Sequence, residues 1–462
     1  MGGKLISKTA SPSPLMPVHL TAARFAFVGL ITAILLLLGG TEQVPLELFV
    51  TALFGVTAFG LISWEVPASL ERWRNFALGI LFVLIAWSLL QSLPGVGPAA
   101  RAWLTTDHPA PGSISVAPAD SRAALLGLAV PFAVFLSALT LFPSDRDARQ
   151  LLNGTVILAF VLSLVALCQF AVAPGYIFWS RNIFYPENLT LPFVNRNTAA
   201  TFYGLFLIVS SARLAQLVIT TGIRSLFSGF RRRELLRSAV WGGAALVFLA
   251  AVLLTGSRAG AAAAIAGTVL SVLVTMFGHV RGRRGVVSLV VAGLAIVVAA
   301  GLLGGRVLLR AAVGGLDDDR FCILPGELRL LSENWVWGTG LGTFREAFPA
   351  YRDPACGLSG VWELAHNVYL EGWISLGILF PAVLAFGLLV LLIALGRGIR
   401  CRRRMRWVSV GGLGVLVQVA AHSAVDFSIQ VPGMSAFFAL ILACAVISGR
   451  REGVESGNTS PS

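Results

Sequence analysis

Apolar residues in this chain neither alternate nor recur at helical intervals among polar ones. They come in unbroken runs of about 20 residues, cut by short polar stretches rich in arginine. A run of about 20 apolar residues is long enough, as a helix, to cross the hydrocarbon core of a bilayer. The runs fall near 22–40, 46–64, 75–93, 123–142, 151–173 and 198–220, and again near 239–255, 259–278, 286–304, 366–396, 408–425 and 432–448. Period-two alternation of the barrel kind is missing, and a bilayer admits only helices or closed barrels. The pattern therefore predicts an all-α membrane protein with about twelve transmembrane helices. The first run lacks a small-x-small cleavage site and many more follow, so it reads as an anchor.

One boundary rests on length alone. The stretch 239–278 is apolar throughout except for Thr255, Gly256, Ser257 and Arg258. A single helix of about 40 residues would be about 60 Å long, twice the hydrocarbon thickness. The chain must turn back there, which sets Arg258 at the membrane surface.

The polar stretches orient the runs. With both termini cytoplasmic, the inner loops hold Arg72 and Arg74, Arg146 and Arg149, Arg231–Arg233 with Arg237, Arg281 with Arg283 and Arg284, and the cluster from Arg397 to Arg406. Roughly two-thirds of all Lys and Arg then lie inside, as the positive-inside rule requires. The organisation expected is a disordered tail over 1–21, one membrane domain over 22–449 and a second tail over 450–462. A large outer loop, 306–365, separates the ninth and tenth spans, with smaller ones at 91–122 and 174–197. The formal charge of +13 sits in a chain that is 56% hydrophobic. It is therefore a topology signal, and nucleic acid is excluded as a partner.

This orientation collects candidate chemistry on the outer face. Arg258 lies at the seventh-to-eighth turn, Arg196 and Asn197 head the sixth span, Arg320, Arg329, Arg345 and Arg352 lie in the large loop, and His366 starts the tenth span. Ionisable groups at membrane depth are costly and few: Glu371 just inside the tenth span, His422 and Asp426 late in the eleventh. A transporter with a midplane ion site would carry acids in mid-span, and none is found, so the chemistry is placed at the outer boundary.

Five ordered pieces resemble the O-antigen ligase and Wzy-type polymerase family of bacterial envelope glycosyltransferases. They are FVNRNTAA at 193–200, TGSRAG at 255–260, DDRFCILPGELRLLSENWVWGTGLGTF at 318–344, AHNVYLEGWISLGILF at 365–380, and HSAVDF at 422–427. The resembling region spans 193–427. Trp335 stands where the family usually has Pro, and Leu324 where an aromatic residue is usual. The resemblance implies a multi-pass protein of the bacterial inner membrane with a periplasmic active face. The donor implied is a polyprenyl-diphosphate-linked oligosaccharide, and the acceptor a growing glycan (polymerase) or lipid A-core (ligase). A polytopic flippase or transporter of envelope glycolipids is the rival class. Other polysaccharide-assembly proteins are expected partners besides membrane lipids.

The resemblance assigns Arg258 and Arg320 to the diphosphate, with Arg196 and Asn197 as further diphosphate or glycan contacts. Guanidinium stays charged and binds phosphate in bidentate fashion, so two arginines can replace a metal at a diphosphate leaving group. His366, with an ordinary pKa near 6.5, can take a proton from an incoming sugar hydroxyl, and the transfer implied is inverting and metal-independent. No cofactor is expected. His422 and Asp426 are assigned a supporting role.

Each assignment has a plainer counterpart. Arg258 can snorkel at a turn, Arg320 can pair with the aspartates before it, and His366 can cap its helix. Arg345 and Arg352 read more readily as solvated loop residues. The run Asp317–Asp319 reads as a solvated like-charge stretch and not as a metal site. Trp64, Trp335, Trp337, Trp362, Tyr369 and Trp373 form an interfacial belt first. Cys322 and Cys356 both fall in the outer loop, where an oxidising periplasm would permit a disulfide between them. The segment 338–344, rich in glycine, is part of the resemblance, but sequence alone offers no physical reason for it.

Overall fold

A computed structural model of the chain describes residues 18–37, 39, 43–96, 112–222, 232–277, 319–354 and 360–450, with the backbone alone at 43–45 and 319–321. The expected ninth span, 286–304, both tails and Cys356 lie outside the described residues. The described chain is helical apart from one two-stranded hairpin, β1 (Tyr176–Ile177) against β2 (Ser180–Arg181).

Among the described residues, ten helices are long and apolar enough to cross a membrane. The first five are α1 (Val18–Leu36), α2 (Gln43–Ser63), α3 (Ala68–Gln91), α4 (Pro118–Leu141) and α5 (Asp145–Val172). Next come α6 (Arg196–Thr221), α7 (Arg232–Leu254) and α8 (Arg258–Phe277), followed by a polar helix, α9 (Asp319–Asn334). After a single turn of helix, α10 (Phe344–Ala347), the chain forms α11 (Val368–Leu376), α12 (Leu379–Cys401), α13 (Arg406–His422) and α14 (Pro432–Gly449). The 17-residue α13 reads as a further span by its place between α6, α8 and α14. The turn expected between residues 255 and 258 is found, with Gly256 at φ 67°.

Several helices extend into polar sequence beyond their apolar runs. α5 begins six residues earlier than expected because Ser144 caps it: its Oγ accepts the Asp147 N–H at 3.1 Å and donates to Asp147 Oδ2 at 2.6 Å. The expected tenth span over 366–396 needs a larger correction. It is two helices, broken where Gly377 takes φ 63° and its N–H closes α11 onto Trp373. Glu371 thus lies in the short helix α11, outside the membrane-crossing α12.

The large outer loop is also not a loop where it is described. α9, α10, the 3-10 turn Phe348–Tyr351 and α11 enclose their own small core of Ile323, Leu330, Phe344, Phe348 and Ile374. This cap is tied to the bundle by backbone. Thr339 N–H donates to the Ile374 carbonyl at 2.8 Å, Gly340 N–H to Ser375 at 3.0 Å, and Ile378 N–H to Val336 at 3.0 Å. From the bundle, Val116 N–H donates to the Thr339 carbonyl at 2.9 Å and Gln91 Nε2 to that of Trp337 at 2.6 Å. Gly338 and Gly340 sit at φ 73° and 107°, where a side chain is strained, and a methyl on Gly338 would strike the Ser375 carbonyl. The glycine segment is therefore a backbone clasp between the cap and the ends of α3 and α4.

At the centre of the bundle, α6, α8 and α13 pack with little between them. Gly267 on α8 faces Gly414 on α13: a methyl on the first would lie 2.5 Å from the Gly414 oxygen, and one on the second 2.6 Å from that of Gly267. Small residues at a helix crossing let backbones approach, which is how packing energy is gained in lipid. Replacing Gly267 by Val is expected to push these helices apart at a cost of about 2–3 kcal/mol. A thermal midpoint in detergent that is unchanged from wild type would contradict this packing.

Candidate functional site

Three of the resembling motifs meet at one side chain. Asn197, in the first turn of α6, is 5% exposed, and both ends of its amide are engaged. Its Nδ2 donates to Asp426 Oδ2 at 2.6 Å, and its Oδ1 accepts from Ser257 Oγ at 2.7 Å. Its backbone carbonyl accepts from Thr201 Oγ1 at 2.9 Å, and Thr201 Oγ1 in turn lies 2.7 Å from His422 Nδ1. Since the Thr201 proton is directed at the carbonyl, the imidazole is the donor to its hydroxyl. Asp426, 1% exposed, also accepts from Ser428 N at 2.8 Å and from Ser428 Oγ, so both of its buried oxygens have protein donors. Asn195, the N-cap of α6, accepts from Asn197 N at 2.7 Å and holds the start of that helix in register.

This lattice positions two arginines. Arg258 follows Ser257 directly, heads α8 and is exposed, with no hydrogen bond or ion pair among the described residues. It shares the first turn of α8 with backbone N–H groups, of which Gly260 N donates to Ser257 Oγ at 3.2 Å, and the positive end of the helix dipole adds to its own charge. Arg196 precedes Asn197, is half-buried, and lays its guanidinium over the Tyr185 ring at 5.4 Å. Its Nη1 reaches the Gly256 turn, so two arginines from separate helices flank that turn. Arg320 opens α9 in the cap, and its side chain lies outside the described residues.

His366 stands at the other edge of the same end of the bundle. Its backbone takes φ 52°, uncommon for a residue with a Cβ, at the bend leading into α11. Asn367 caps that helix by accepting from Tyr369 N and Leu370 N at 3.0 and 3.1 Å. Val368 N–H donates to the Ser423 carbonyl at 2.9 Å and Tyr369 Oη to that of Ala420 at 2.6 Å, locking α11 to the end of α13. The His366 ring stands edge-on to Phe427 at 5.0 Å and Trp362 at 5.6 Å. Its Nδ1 donates to the Leu364 carbonyl at 3.1 Å, which makes Nε2 the basic nitrogen of the neutral ring. Phe427 adjoins Asp426, so contacts run from His366 through Asp426, Asn197 and Ser257 to Arg258.

The cap adds a pair of groups that sequence alone did not connect. Glu371 is 5% exposed, and its Oε2 accepts the Ala365 N–H at 2.9 Å, bracing the residue before His366. Glu327 on α9 is 2% exposed, and its Oε1 has no hydrogen-bond partner. Burial pushes Glu327 up to about 8, with the charge of Glu371 adding to the effect. Burial likewise pushes Glu371 up to about 7, against the opposing pull of hydrogen bonds from Ala365 and Gln430. Glu327 gave no signal in the sequence because its neighbour lies in a different helix of the cap.

Arg345 and Arg352 have surface partners. Arg345 pairs with Glu363 at 3.3 Å in an exposed position, worth little in water. Arg352 donates to the Gly360 carbonyl at 2.8 Å. Cys322 is disulfide-bonded, whereas Cys168, Cys401 and Cys444 are free thiols.

Residues 243–379 match the family model described as O-antigen ligase. No curated protein sequence matches the chain. The matched segment contains Arg258, Arg320, the glycine clasp and His366, and it supports a membrane glycan-processing enzyme. Asn197, His422 and Asp426 lie outside it and join it through the hydrogen bonds above.

Asn197→Ala would leave the Ser257 hydroxyl and one oxygen of a buried carboxylate without their partner, and is expected to cost about 2–4 kcal/mol. Arg258→Ala, which removes an exposed and unpaired group, is expected to leave thermal stability within about 0.5 kcal/mol. Equal melting shifts for the two variants would refute the distinction. The carboxyl pair gives a pH dependence of definite sign. An unfolded cap releases both protons in the ordinary carboxyl range, whereas the folded cap holds them to pH about 7 and 8. Stability should therefore fall as pH rises from about 5 to 8. Glu327→Gln should flatten that slope, and a wild-type slope retained in the variant would count against it.

Proposed function

We propose, from the O-antigen ligase pattern carried by residues 243–379, that this protein is a glycosyltransferase of the bacterial inner membrane. Its donor is a polyprenyl-diphosphate-linked oligosaccharide, bound at the periplasmic end of the bundle. The observation that carries the reading is Arg258. It is exposed and unpaired, at a helix start, and fixed by a buried hydrogen-bond lattice that also adjoins the cradle of His366. A free guanidinium on a firmly placed backbone suits a diphosphate better than it suits a packing role.

In this reading, Arg258 and Arg196 hold the diphosphate, joined by Arg320 from the cap. Asn197 is placed behind them as a positioning residue, since both ends of its amide are already engaged. His366 Nε2 takes the proton of the acceptor hydroxyl. The acceptor oxygen then bonds to the anomeric carbon from the face opposite the diphosphate. The carbon–oxygen bond to the diphosphate breaks, and its electron pair leaves with the polyprenyl diphosphate. The arginines balance the charge that grows on that leaving group, so no metal is required by the step. The sugar configuration inverts.

Two acceptors fit the same chemistry. The terminal sugar of another lipid-linked glycan would make the protein a polymerase of O-antigen or exopolysaccharide repeat units. A lipid A-core sugar would make it a ligase, the reading favoured by the description of the matched family. The cysteines fit a periplasmic cap as well: with Cys322 bonded and three thiols free, Cys356 is the partner this reading assigns.

Reconstitution with a lipid-linked oligosaccharide in the presence of EDTA tests the proposal. His366→Ala and Arg258→Ala are each expected to lower product formation by at least about a hundredfold, with folding intact. Full activity in both variants, or loss of wild-type activity in EDTA, would overturn it. A ladder of product lengths identifies the polymerase, and transfer only to added core lipid identifies the ligase.

A further inference from the structure

The end of the bundle opposite Arg258 carries the C-terminus of α12, and two cavities flank it. The first, of about 520 Å³, is lined by five arginines and a single carboxylate. The carboxylate, Asp145, is already paired with Arg402. Arg146, Arg149, Arg403 and Arg404 project into the same space with no side-chain hydrogen bond or ion pair among the described residues. The second cavity, of about 570 Å³, lies between α3, α12 and α14; among the described residues Arg72, Arg397 and Arg450 line it with no carboxylate, and Arg450 donates to Ser69 Oγ. Cys401 lines both, so the cavities abut around the last turn of α12.

Above these cavities α12 is the least enclosed of the long apolar helices among the described residues. Only 6% of its apolar window is buried, against 89% for α14. Phe386, Leu389, Leu392 and Ile393 are about half exposed along it. On one side Phe386 meets Phe76 of α3, with ring centroids 5.6 Å apart. A positive-inside bias accounts for arginines at this end of the protein but not for paired hollows that concentrate them. Guanidiniums crowded with few carboxylates among them repel one another unless an anion enters, and basic pockets between helices are suited to phosphate headgroups.

We propose that the end of α12 is a binding site for a phospholipid with two phosphates. Its headgroup straddles the helix at Cys401 and places one phosphate in each arginine cavity, and its acyl chains lie along the exposed face of α12. The chemical class is diphosphatidylglycerol: two phosphodiesters joined by glycerol, carrying four chains. Two adjacent cationic cavities beneath a single apolar helix match that arrangement better than they match a lipid with one phosphate. The site is independent of the transfer chemistry proposed for the other end of the bundle.

The test uses the full chain with Cys168→Ser in detergent, so that Cys401 is the exposed free thiol. Its alkylation and the thermal midpoint are followed with diphosphatidylglycerol, phosphatidylglycerol at equal phosphate, phosphatidylcholine and inorganic diphosphate. Diphosphatidylglycerol is expected to slow Cys401 alkylation and raise the midpoint, and the other three to do neither to a comparable degree. Arg146→Gln/Arg404→Gln should weaken this protection on the order of tenfold. Arg397→Gln, in the other cavity, should weaken it too, giving a second variant should the first be unstable in phosphatidylcholine. Equal protection by phosphatidylglycerol would reduce the site to general attraction, and equal protection by inorganic diphosphate would make it a simple anion pocket. Either result, or full protection retained in Arg397→Gln, overturns the proposal.

Discussion

The candidate site depends on a buried carboxylate that must remain solvated by protein. Asp426 sits almost without solvent at the end of α13, where an unpaired charge would be costly. Ser428 satisfies one of its oxygens and Asn197 the other. Because Asn197 can make that bond only when α6 and α13 are in register, the electrostatic demand fixes the relative height of two helices. The side-chain Oδ1 of Asn197 then accepts from the Ser257 hydroxyl, which brings in α8. Below this lattice the glycine crossing of α8 and α13 brings the same backbones close together. Polar pairing at the surface and small-residue packing in the membrane thus specify one arrangement, in which Arg258 and Arg196 have little freedom of placement.

The cap is held by a different device. Its clasp to the bundle is built from backbone hydrogen bonds, with glycines at the points where a Cβ would meet a carbonyl. A backbone clasp constrains the path of the chain without specifying side chains, so the surface of the cap can vary while its seat stays fixed. The buried acids Glu327 and Glu371 work against this rigidity once they lose their protons. Glu371 also braces Ala365, so its ionisation is coupled mechanically to the bend at His366. Cap seating and the placement of the His366 ring therefore share one support.

Much of the bundle was legible in the sequence, because in lipid a span must satisfy its own backbone and its apolar run declares it. The turn at Gly256 followed from length alone. Helix ends were less legible: the Ser144 cap carries α5 into polar sequence, where hydropathy stops reporting on structure. The break at Gly377 was hidden because α11 and α12 are both apolar, and only the left-handed glycine separates them. At the site, the motif residues were visible but their division of labour was not. Asn197 reads as a diphosphate contact until Asp426, 229 residues away, is seen to engage its amide. Glu327 was invisible for the same reason, since its environment is made by residues distant in the chain.

The two ends of the bundle handle charge in contrasting ways, and the contrast bears on how the protein sits in its membrane. At the end bearing Arg258, polar groups are placed singly: Arg258 follows the hydrogen-bonded Ser257, and Arg196 stacks on the Tyr185 ring. At the opposite end, arginines are gathered around α12 with few carboxylates between them. Isolated cations on fixed backbone positions favour one anion in a defined place. Gathered cations instead fix which end faces the more negative side and draw anionic headgroups to it. One set of guanidiniums thus favours geometry and the other favours field strength. Arg402 belongs wholly to the second, because its pairing with Asp145 ties the α12–α13 turn to the start of α5.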